Sequence, residues 1–550
     1  PTPTYYYTPE PTSYPTPTYY YTPEPTSYPT PTPTYYTPKR KNTSGSNKNN
    51  SSTVVYPTQT IPASIPEATP VVSNVDYEKI IKDFEKEVVD IVEKYKNADD
   101  IYNEKNALIE KEIEKAIEKV AYIKVFCENG SIDVSKELIS HQIDLVIMAN
   151  NDIEAFLITQ DYEPNRIIRK MINIDVDLTN TQLIVNILKD ISILHESKID
   201  VKISTSFGNI ILYHDNIDRL LSDDLKITMI DESKEVNTKT KSKVSLEFMY
   251  GNSIKVDKLD YFIGLELPYK DGNPDYCTIY NDIFFNPYST NAQKTNKTVL
   301  ALNSNNKIQA QKSEYATLFI NDTFDYKAAF TPLSTKSYNM GGWENAENKT
   351  LKVNIKNSGK YYLIEETITF NDIKSEDMAI QEAIEVLASK GIIIGRGDGS
   401  FHPNDQLNRS EFACLIVKSL NIIDENAFTN FKDVKETSWF YNSVAIAHNE
   451  GLISGYEDNT FKGNNKINRQ EIITICSATL NTKKGYLFPS GDKWLNFKDK
   501  DLIPSWARKF VSLGNREALI IKRSDGKFKG TEFCTRKEAA VILYRLYKKL

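Results

Sequence analysis

The amino-acid sequence predicts a multidomain protein: a disordered Pro/Thr/Tyr-rich N-terminus, a helical hairpin leading into a β-rich α+β middle, and an α-helical pseudo-threefold body at the C-terminus. Three observations predict this. The stretch PTPTYYYTPEPTSY at 1–14 recurs unchanged at 15–28. Apolar spacing changes from three and four residues to two near residue 122. Beyond residue 366, one helix–loop–helix pattern returns three times in register. With 550 residues, the chain also exceeds the roughly 250–300 at which a single core stops growing.

Residues 1–75 read as a low-complexity linker. Proline at nearly every second or third position removes backbone donors and favours polyproline II at about 3.1 Å per residue, so a semi-rigid spacer on the order of 100 Å is expected. Its composition also permits glycans on the threonines or tyrosines. Between 76 and 121, Tyr77, Ile80, Ile81, Phe84, Val88, Ile91, Val92 and Tyr95 mark one amphipathic helix, and Leu108, Ile109, Ile113, Ile117 and Val120 mark a second. A turn around Asn97 to Asn103 would pair them.

Residues 122–366 alternate as strands in KIDVKIST and TLKVNIKN, with helical turns expected at NNDIEAF and LTNTQLIVNILK. The stretch 122–139 is similar to 200–220 around Gly130 and Gly208, which suggests a duplicated hairpin-plus-helix unit within two sandwich-like pieces. GKYYLIEETITFNDI (359–373) reads as a last strand passing straight into the C-terminal part, so the two are expected to be rigidly joined.

The triplicate divides as 367–428, 429–492 and 493–550. Its units open on FNDI, FKDV and FKDK and run through GIIIGRGDGSF, GLISGYEDNTF and ALIIKRSDGKF. Phe401, Phe461 and Phe528 each precede Arg409, Arg469 and Arg536 by eight residues, and Asp372, Asp433 and Asp499 precede those phenylalanines by 28 or 29. Gly391 and Gly451 read as helix C-caps, and the loops carry turn residues tolerant of positive φ. The second helix of each unit starts at Asn408, Asn468 or Thr535, with Glu411, Glu471 or Glu538 completing a capping box.

That leaves each arginine on the first helical turn, where a cation opposes the macrodipole at about 0.3–1 kcal/mol. Two readings of it stay open. Free N–H groups at the helix start and the guanidinium together offer a grip on a carboxylate or phosphate. Alternatively, an aspartate of a neighbouring unit, such as Asp433, neutralises the charge.

The order F-x-D, W, G-[IL]-[IV], G-x-x-[DG]-x-[ST]-F and [TN]-R-x-E, in three tandem copies over about 367–550, resembles the S-layer homology domain family. The resemblance implies a three-pronged pseudo-trimer that attaches exported proteins non-covalently to anionic, often pyruvylated, secondary polysaccharides of the Gram-positive cell wall. It implies grooves between neighbouring prongs, with the arginine of the last motif on the acidic sugar. The residues carried over are Arg409, Arg469, Arg536, Asp372, Asp433, Asp499, Trp439, Trp506, Gly395 and Gly455. The aspartates have a second reading, as helix-entry residues bonded to backbone. Exchanging Arg409 and Arg469 for alanine is expected to leave the fold intact and abolish attachment.

The sequence also departs from the pattern: Met378 stands where the first unit would have its tryptophan, Lys522 where the third would have its loop glycine, and Ala518 where the third would have its capping glycine. NTKKGYLFPSGDKWL (481–495) lengthens the link between the second and third units. The middle region is similar to β-rich segments that precede such repeats in clostridial surface proteins.

A net charge of -7, evenly spread, argues against a nucleic-acid partner. Cys127, Cys277, Cys414, Cys476 and Cys534 show neither disulfide nor zinc spacing and read as apolar fillers. No metal or cofactor is suggested. No apolar run of 18 residues predicts a membrane span. The first residue is Pro1, which reads as a processed form or a fragment. No nucleophile, zinc or phosphate-loop motif stands in a credible context, and the histidines His141, His195, His214, His402 and His448 are scattered, so a non-enzymatic protein is expected. The expectation is thus a secreted cell-surface protein anchored to an anionic wall polysaccharide, with other surface-layer proteins as possible partners. The alternatives are a lattice subunit and a tethered glycosidase or carbohydrate-binding protein.

Overall fold

The computed structural model describes residues 70–71, 75–96, 102–160, 162–220, 224–233, 240–251, 254–269, 273–285, 300–302, 308–310, 334–345, 349–396, 398–422, 424 and 426–550. Most of the expected N-terminal spacer, and residues 97–101 of the expected hairpin turn, lie outside them. The two predicted helices are present as α1 (Tyr77–Lys94) and α2 (Tyr102–Val120), packed on each other. Asp76 caps α1 by accepting from Lys79 N at 3.1 Å. Phe84 and Val88 enter the core, and Tyr77, Ile80, Ile81, Ile91 and Val92 lie half-buried against it.

A third helix, α3 (Lys136–Thr159), is far longer than the short one expected after residue 134. Its apolar residues explain the length, because Ile139, Ile143, Val146, Ala149, Ile153 and Leu157 keep one buried stripe over its whole run. Two short helices follow, α4 (Ile193–Ser197) and α5 (His214–Leu220).

Among the described residues, eighteen strands complete the middle part. They are β1 (Pro70–Val71), β2 (Tyr122–Cys127), β3 (Ser131–Val134), β4 (Lys170–Leu178), β5 (Gln182–Ile187) and β6 (Ile199–Ser204). Next come β7 (Asn209–Leu212), β8 (Leu225–Asp231), β9 (Thr240–Tyr250), β10 (Ile254–Val256), β11 (Lys258–Pro268) and β12 (Cys277–Phe285). The last are β13 (Leu300–Leu302), β14 (Ile308–Ala310), β15 (Ser334–Asn339), β16 (Trp343–Asn345), β17 (Thr350–Asn357) and β18 (Gly359–Glu365). One sheet runs β1-β2-β4-β6-β7-β11-β17-β16, a second runs β15-β12-β18-β9-β8-β5-β3 with β10 on β9, and β13 pairs β14. Both large sheets and α1–α3 share one core, so the middle is one mixed α and β body rather than two pieces.

Two further expectations change. LTNTQLIVNILK holds β5, not a helix: Leu183, Val185 and Ile187 are buried in strict alternation, and a period of two cannot give one face of a helix. The segments around Gly130 and Gly208 are not copies. β6 and β7 form a hairpin, whereas β2 pairs β4 in one sheet and β3 pairs β5 in the other. Gly130 is where the chain changes sheet, at φ +67°, with only 2.7 Å between an added Cβ and the Gln182 carbonyl. As expected, β18 is the last strand before the repeats; it lies inside its sheet between β12 and β9, so the run into the C-terminal part starts from a central strand.

Among its described residues the C-terminal part contains six α-helices, two from each repeat: α6 (Met378–Ser389), α7 (Arg409–Ser419), α8 (Tyr441–Asn449), α9 (Arg469–Lys484), α10 (Ser505–Arg516) and α11 (Arg536–Tyr547). Each repeat's second helix packs on the next repeat's first: α7 on α8, α9 on α10, and α11 back on α6. Backbone bonds close the same cycle, with Leu407 N donating to Cys534 O at 3.2 Å, Ile467 N to Leu407 O at 3.0 Å and Cys534 N to Ile467 O at 3.0 Å. Leu407, Ile467 and Cys534 are buried there beneath Phe401, Phe461 and Phe528. Gly391 and Gly451 end the first helices at φ +71° and +68°, and Ala518 takes the same left-handed place at +56°.

The two parts share a polar, well-bonded junction. Thr278 Oγ1 donates to Ser389 O at 2.8 Å, Trp343 Nε1 to Ser419 O at 3.1 Å and Asn421 Nδ2 to Asn354 O at 3.1 Å. Trp343, on a strand of the middle part, is buried in the C-terminal core. The lengthened link 481–495 has a use here: Arg166 bridges Tyr486, Leu487 N donates to Asn165 O at 2.7 Å and Ile167 N to Gly485 O at 2.9 Å.

Candidate functional site: the grooves between repeats

Local bonding explains why an arginine can sit on each first turn. The capping boxes form as the sequence predicts: Asn408, Asn468 and Thr535 accept from the N–H of Glu411, Glu471 and Glu538, whose carboxylates accept in return. The two N–H groups before them are also occupied. Arg409 N donates to Asn465 O at 3.0 Å and Ser410 N to Gly463 O at 3.0 Å, with the same pairs at Arg469 and Gln470, and at Arg536 and Lys537. The free helix donors expected to face a ligand are therefore used between repeats, and the guanidiniums have to act without them.

Each guanidinium reaches into the next repeat in the cycle. Nε donates to Phe461 O at 3.0 Å from Arg409, to Phe528 O at 3.0 Å from Arg469, and to Phe401 O at 2.8 Å from Arg536. Nη2 bonds the carbonyl just before the loop glycine or its substitute: Ser454 at 3.4 Å, Ile521 at 3.1 Å and Ile394 at 3.2 Å. Arg409 Nη1 meets Glu471 at 2.9 Å and Arg469 Nη1 meets Glu538 at 3.2 Å. The internal partner is thus the capping-box glutamate of the next repeat, not Asp433. Arg409 is 7% and Arg469 1% exposed. Burial pushes the Arg469 guanidinium below its ordinary pKa, and nearby Arg523 adds to this.

The expected aspartates serve the loops. Asp372 accepts from Phe401 N at 2.9 Å and His402 N at 2.7 Å, Asp433 from Phe461 N and Lys462 N at 2.7 Å each, and Asp499 from Phe528 N at 2.7 Å and Lys529 N at 2.8 Å. His402, Lys462 and Lys529 all have positive φ, so each carboxylate clamps a left-handed turn. Burial raises the Asp372 carboxyl, but the N–H groups of Phe401 and His402 outweigh it and hold the group below the usual range.

Gly395 and Gly455 are needed for closeness rather than for φ. A Cβ would stand 2.5 Å from Phe370 Cε1 at the first and 2.3 Å from Phe431 Cε1 at the second. Lys522, exposed at the third equivalent place, extends its side chain to solvent.

Among the described residues a small open cleft of about 20 Å³ gathers Arg409 from the first repeat, Gly455 and Glu471 from the second and Trp506 from the third. Ser454 and Tyr456 complete its wall. Tyr456 donates to Glu471 at 3.0 Å and has the Arg409 guanidinium 5.0 Å from its ring centre. Burial pushes the Tyr456 hydroxyl up to about 12, with Arg409 opposing and Glu471 adding. One groove thus takes residues from all three repeats.

By the order of the repeats, the equivalent positions are Arg536, Gly395 and Trp439 about α7 and α8, and Arg469, Lys522 and Met378 about α11 and α6; Arg536 and Arg469 bond the next loop's Phe401 and Phe528 carbonyls as Arg409 bonds that of Phe461. Sequence reasoning missed Tyr456, Arg396 and Arg523, one residue past the loop glycine or its substitute, where the varied side chains offered no pattern to follow. It also read the three glutamates only as caps.

With this geometry in hand, the comparisons with known proteins are specific. The S-layer homology domain model matches residues 369–413, 430–473 and 496–540. The chain is 31% identical over 220 residues to an amylopullulanase of Thermoanaerobacterium thermosulfurigenes, covering 40% of this chain and 12% of that protein. It is 32% identical over 187 residues to exoglucanase XynX of Acetivibrio thermocellus, covering 34% and 17%. It is 27% identical over 179 residues to the surface-layer 125 kDa protein of Lysinibacillus sphaericus, covering 32% and 14%. The chain thus spans less than a fifth of the length of each of these relatives. It carries three S-layer homology domains in its C-terminal region and is a cell-surface, cell-wall-associated protein. No helix among the described residues is long and apolar enough to cross a membrane.

Proposed function

We propose that these three S-layer homology domains, closed into a pseudo-threefold trimer, hold the protein non-covalently on an anionic, pyruvylated secondary polysaccharide of the cell wall. The observation that carries this reading is the inter-repeat cleft, lined by the largely buried Arg409 and Glu471 and the half-buried Trp506 from three different repeats. That combination suits a saccharide: an apolar face for the ring and charged partners for its carboxylate and hydroxyls. The middle body is then what the anchor presents at the surface.

A binding role without catalysis by the middle body is part of the proposal. Burial raises its carboxylate Glu266, but Lys202 at 2.7 Å outweighs this and holds the group below the usual range, so it is a poor general acid. The relative named as a surface-layer protein supports a second reading, a lattice subunit. Electron microscopy of the purified chain separates the two, since ordered sheets favour the lattice. The anchoring test is sedimentation of the full chain with isolated walls. Walls stripped of their secondary polysaccharide should leave it in the supernatant; equal sedimentation with stripped walls overturns the proposal.

A further inference from the structure

The seam between the middle body and the repeats holds more positive charge than its own acids neutralise. In the first sheet Val201 and Ile203 of β6, Leu265 and Leu267 of β11, and Leu351 and Val353 of β17 face the core. The residues alternating with them, Asp200, Lys202, Glu266 and Lys352, therefore lie on the opposite face. Register sets Lys352 directly across from Glu266. One step along the same face Asn354 accepts from the Tyr213 hydroxyl at 2.9 Å, and the Arg169 guanidinium lies 5.9 Å from the centre of the Tyr213 ring.

The repeats reach this face at two points. Asn421 bonds Asn354 O, and α9 ends there on Lys484, next to the Gly485 carbonyl that accepts from Ile167 N at 2.9 Å. Lys352 and Lys484 are both half-buried, and among the described residues neither has an acceptor or a carboxylate within ion-pair distance. The carboxylates that act on them, Glu266, Asp200 and Glu114, are committed to other partners. Glu266 pairs with Lys202 at 2.7 Å and accepts from Asn209 Nδ2 at 2.8 Å. Asp200 meets His214 Nδ1 at 2.7 Å and Arg169 Nη1 at 3.3 Å, while Glu114 meets Arg166 Nη2 at 2.8 Å. Two ammonium groups are thus left over, and burial together with Lys352 disfavours the charged form of Lys484.

We propose that this seam is an anion site, where a compact doubly charged oxyanion of phosphate or sulfate size bridges the Lys352 and Lys484 ammonium groups and ties the repeats to the middle body. The side chain of Arg169, 54% exposed, marks the open edge by which it enters. The site is separate from the inter-repeat grooves and does not depend on wall anchoring.

The test is thermal unfolding of the full chain in sulfate at about 10 mM against chloride of equal ionic strength, where a ligand of the native state raises Tm by about 2 °C or more. Lys352→Met and Lys484→Met should each lose that rise, and Lys255→Met, at an exposed pair on β10, should keep it. In chloride the first two variants should be at least as stable as the unaltered chain, because each removes an unpaired cation. Lys484 titrates near 7 in the empty site, and sulfate keeps its charge throughout, so the rise should be larger at pH 6.5 than at pH 8.5. Glycerol phosphate is the second probe: a rise equal to that of sulfate identifies a phosphate ester as the ligand, a rise with sulfate alone identifies a free ion, and both uphold the site. An unaltered chain that ignores both probes, or Lys352→Met and Lys484→Met variants that respond as it does, would overturn the proposal. Marked destabilisation of either variant in chloride would also overturn it, by showing that the lysine is already paired.

Discussion

Arg409 and Arg469 are side chains whose removal reaches well beyond a lost charge. Each braces two carbonyls of the next repeat and neutralises a partly or wholly enclosed glutamate, so Arg409→Ala is expected to cost about 3–5 kcal/mol, the range for breaking a buried pair. Arg469→Ala should cost less, because Glu538 keeps the Arg523 guanidinium while Glu471 keeps only neutral donors, the Tyr456 hydroxyl and Asn468 N. Thermal unfolding of the full chain followed by circular dichroism checks the order, and a variant at Arg469 less stable than one at Arg409 contradicts it. The double alanine exchange expected to leave the fold intact is thus not a clean test of attachment. Loss of sedimentation would follow from unfolding alone.

At the scale of elements, the end of α9 carries the clearest pH dependence. Burial, and then the nearby Lys352, Arg166 and Arg169, lower the Lys484 ammonium to about 7, and burial lowers Lys390 at the same junction to about 8. An unfolded lysine titrates near 10.4. Between the folded and unfolded values the unfolded chain binds more protons, so stability rises with pH from about 7 upward. Above about 8.5 the thiols of Cys476 and Cys534, pushed up by burial, offset the trend. Denaturation midpoints from pH 7 to 8.5 should climb for the unaltered chain and climb less for Lys484→Met; parallel curves would place the titration elsewhere.

At the scale of the whole molecule, the middle body and the repeats are expected to unfold together. Trp343 sits on β16 of the one and in the core of the other, so Trp343→Ala should cost about 3–5 kcal/mol and split one calorimetric transition into two. Two transitions already in the unaltered chain would mean the junction is weaker than its hydrogen bonds imply.

Much of this was legible in the chain itself. Capping boxes, turn glycines and the stripe of α1 are local, set by residues within a turn or two of each other, and three copies in register identified the repeat. What stayed hidden was decided by residues distant in sequence. Sheet membership around Gly130 depends on which strand pairs β2 and β3, and the length of α3 on whether a core lies beneath its stripe. The role of each arginine depends on the glutamate some 60 residues ahead, or across the closing contact from the last repeat to the first. Periodicity and capping are short-range steric and hydrogen-bonding rules that a sequence states directly; whether a buried charge braces the protein or is left open to a ligand depends on partners that only the folded chain brings within reach.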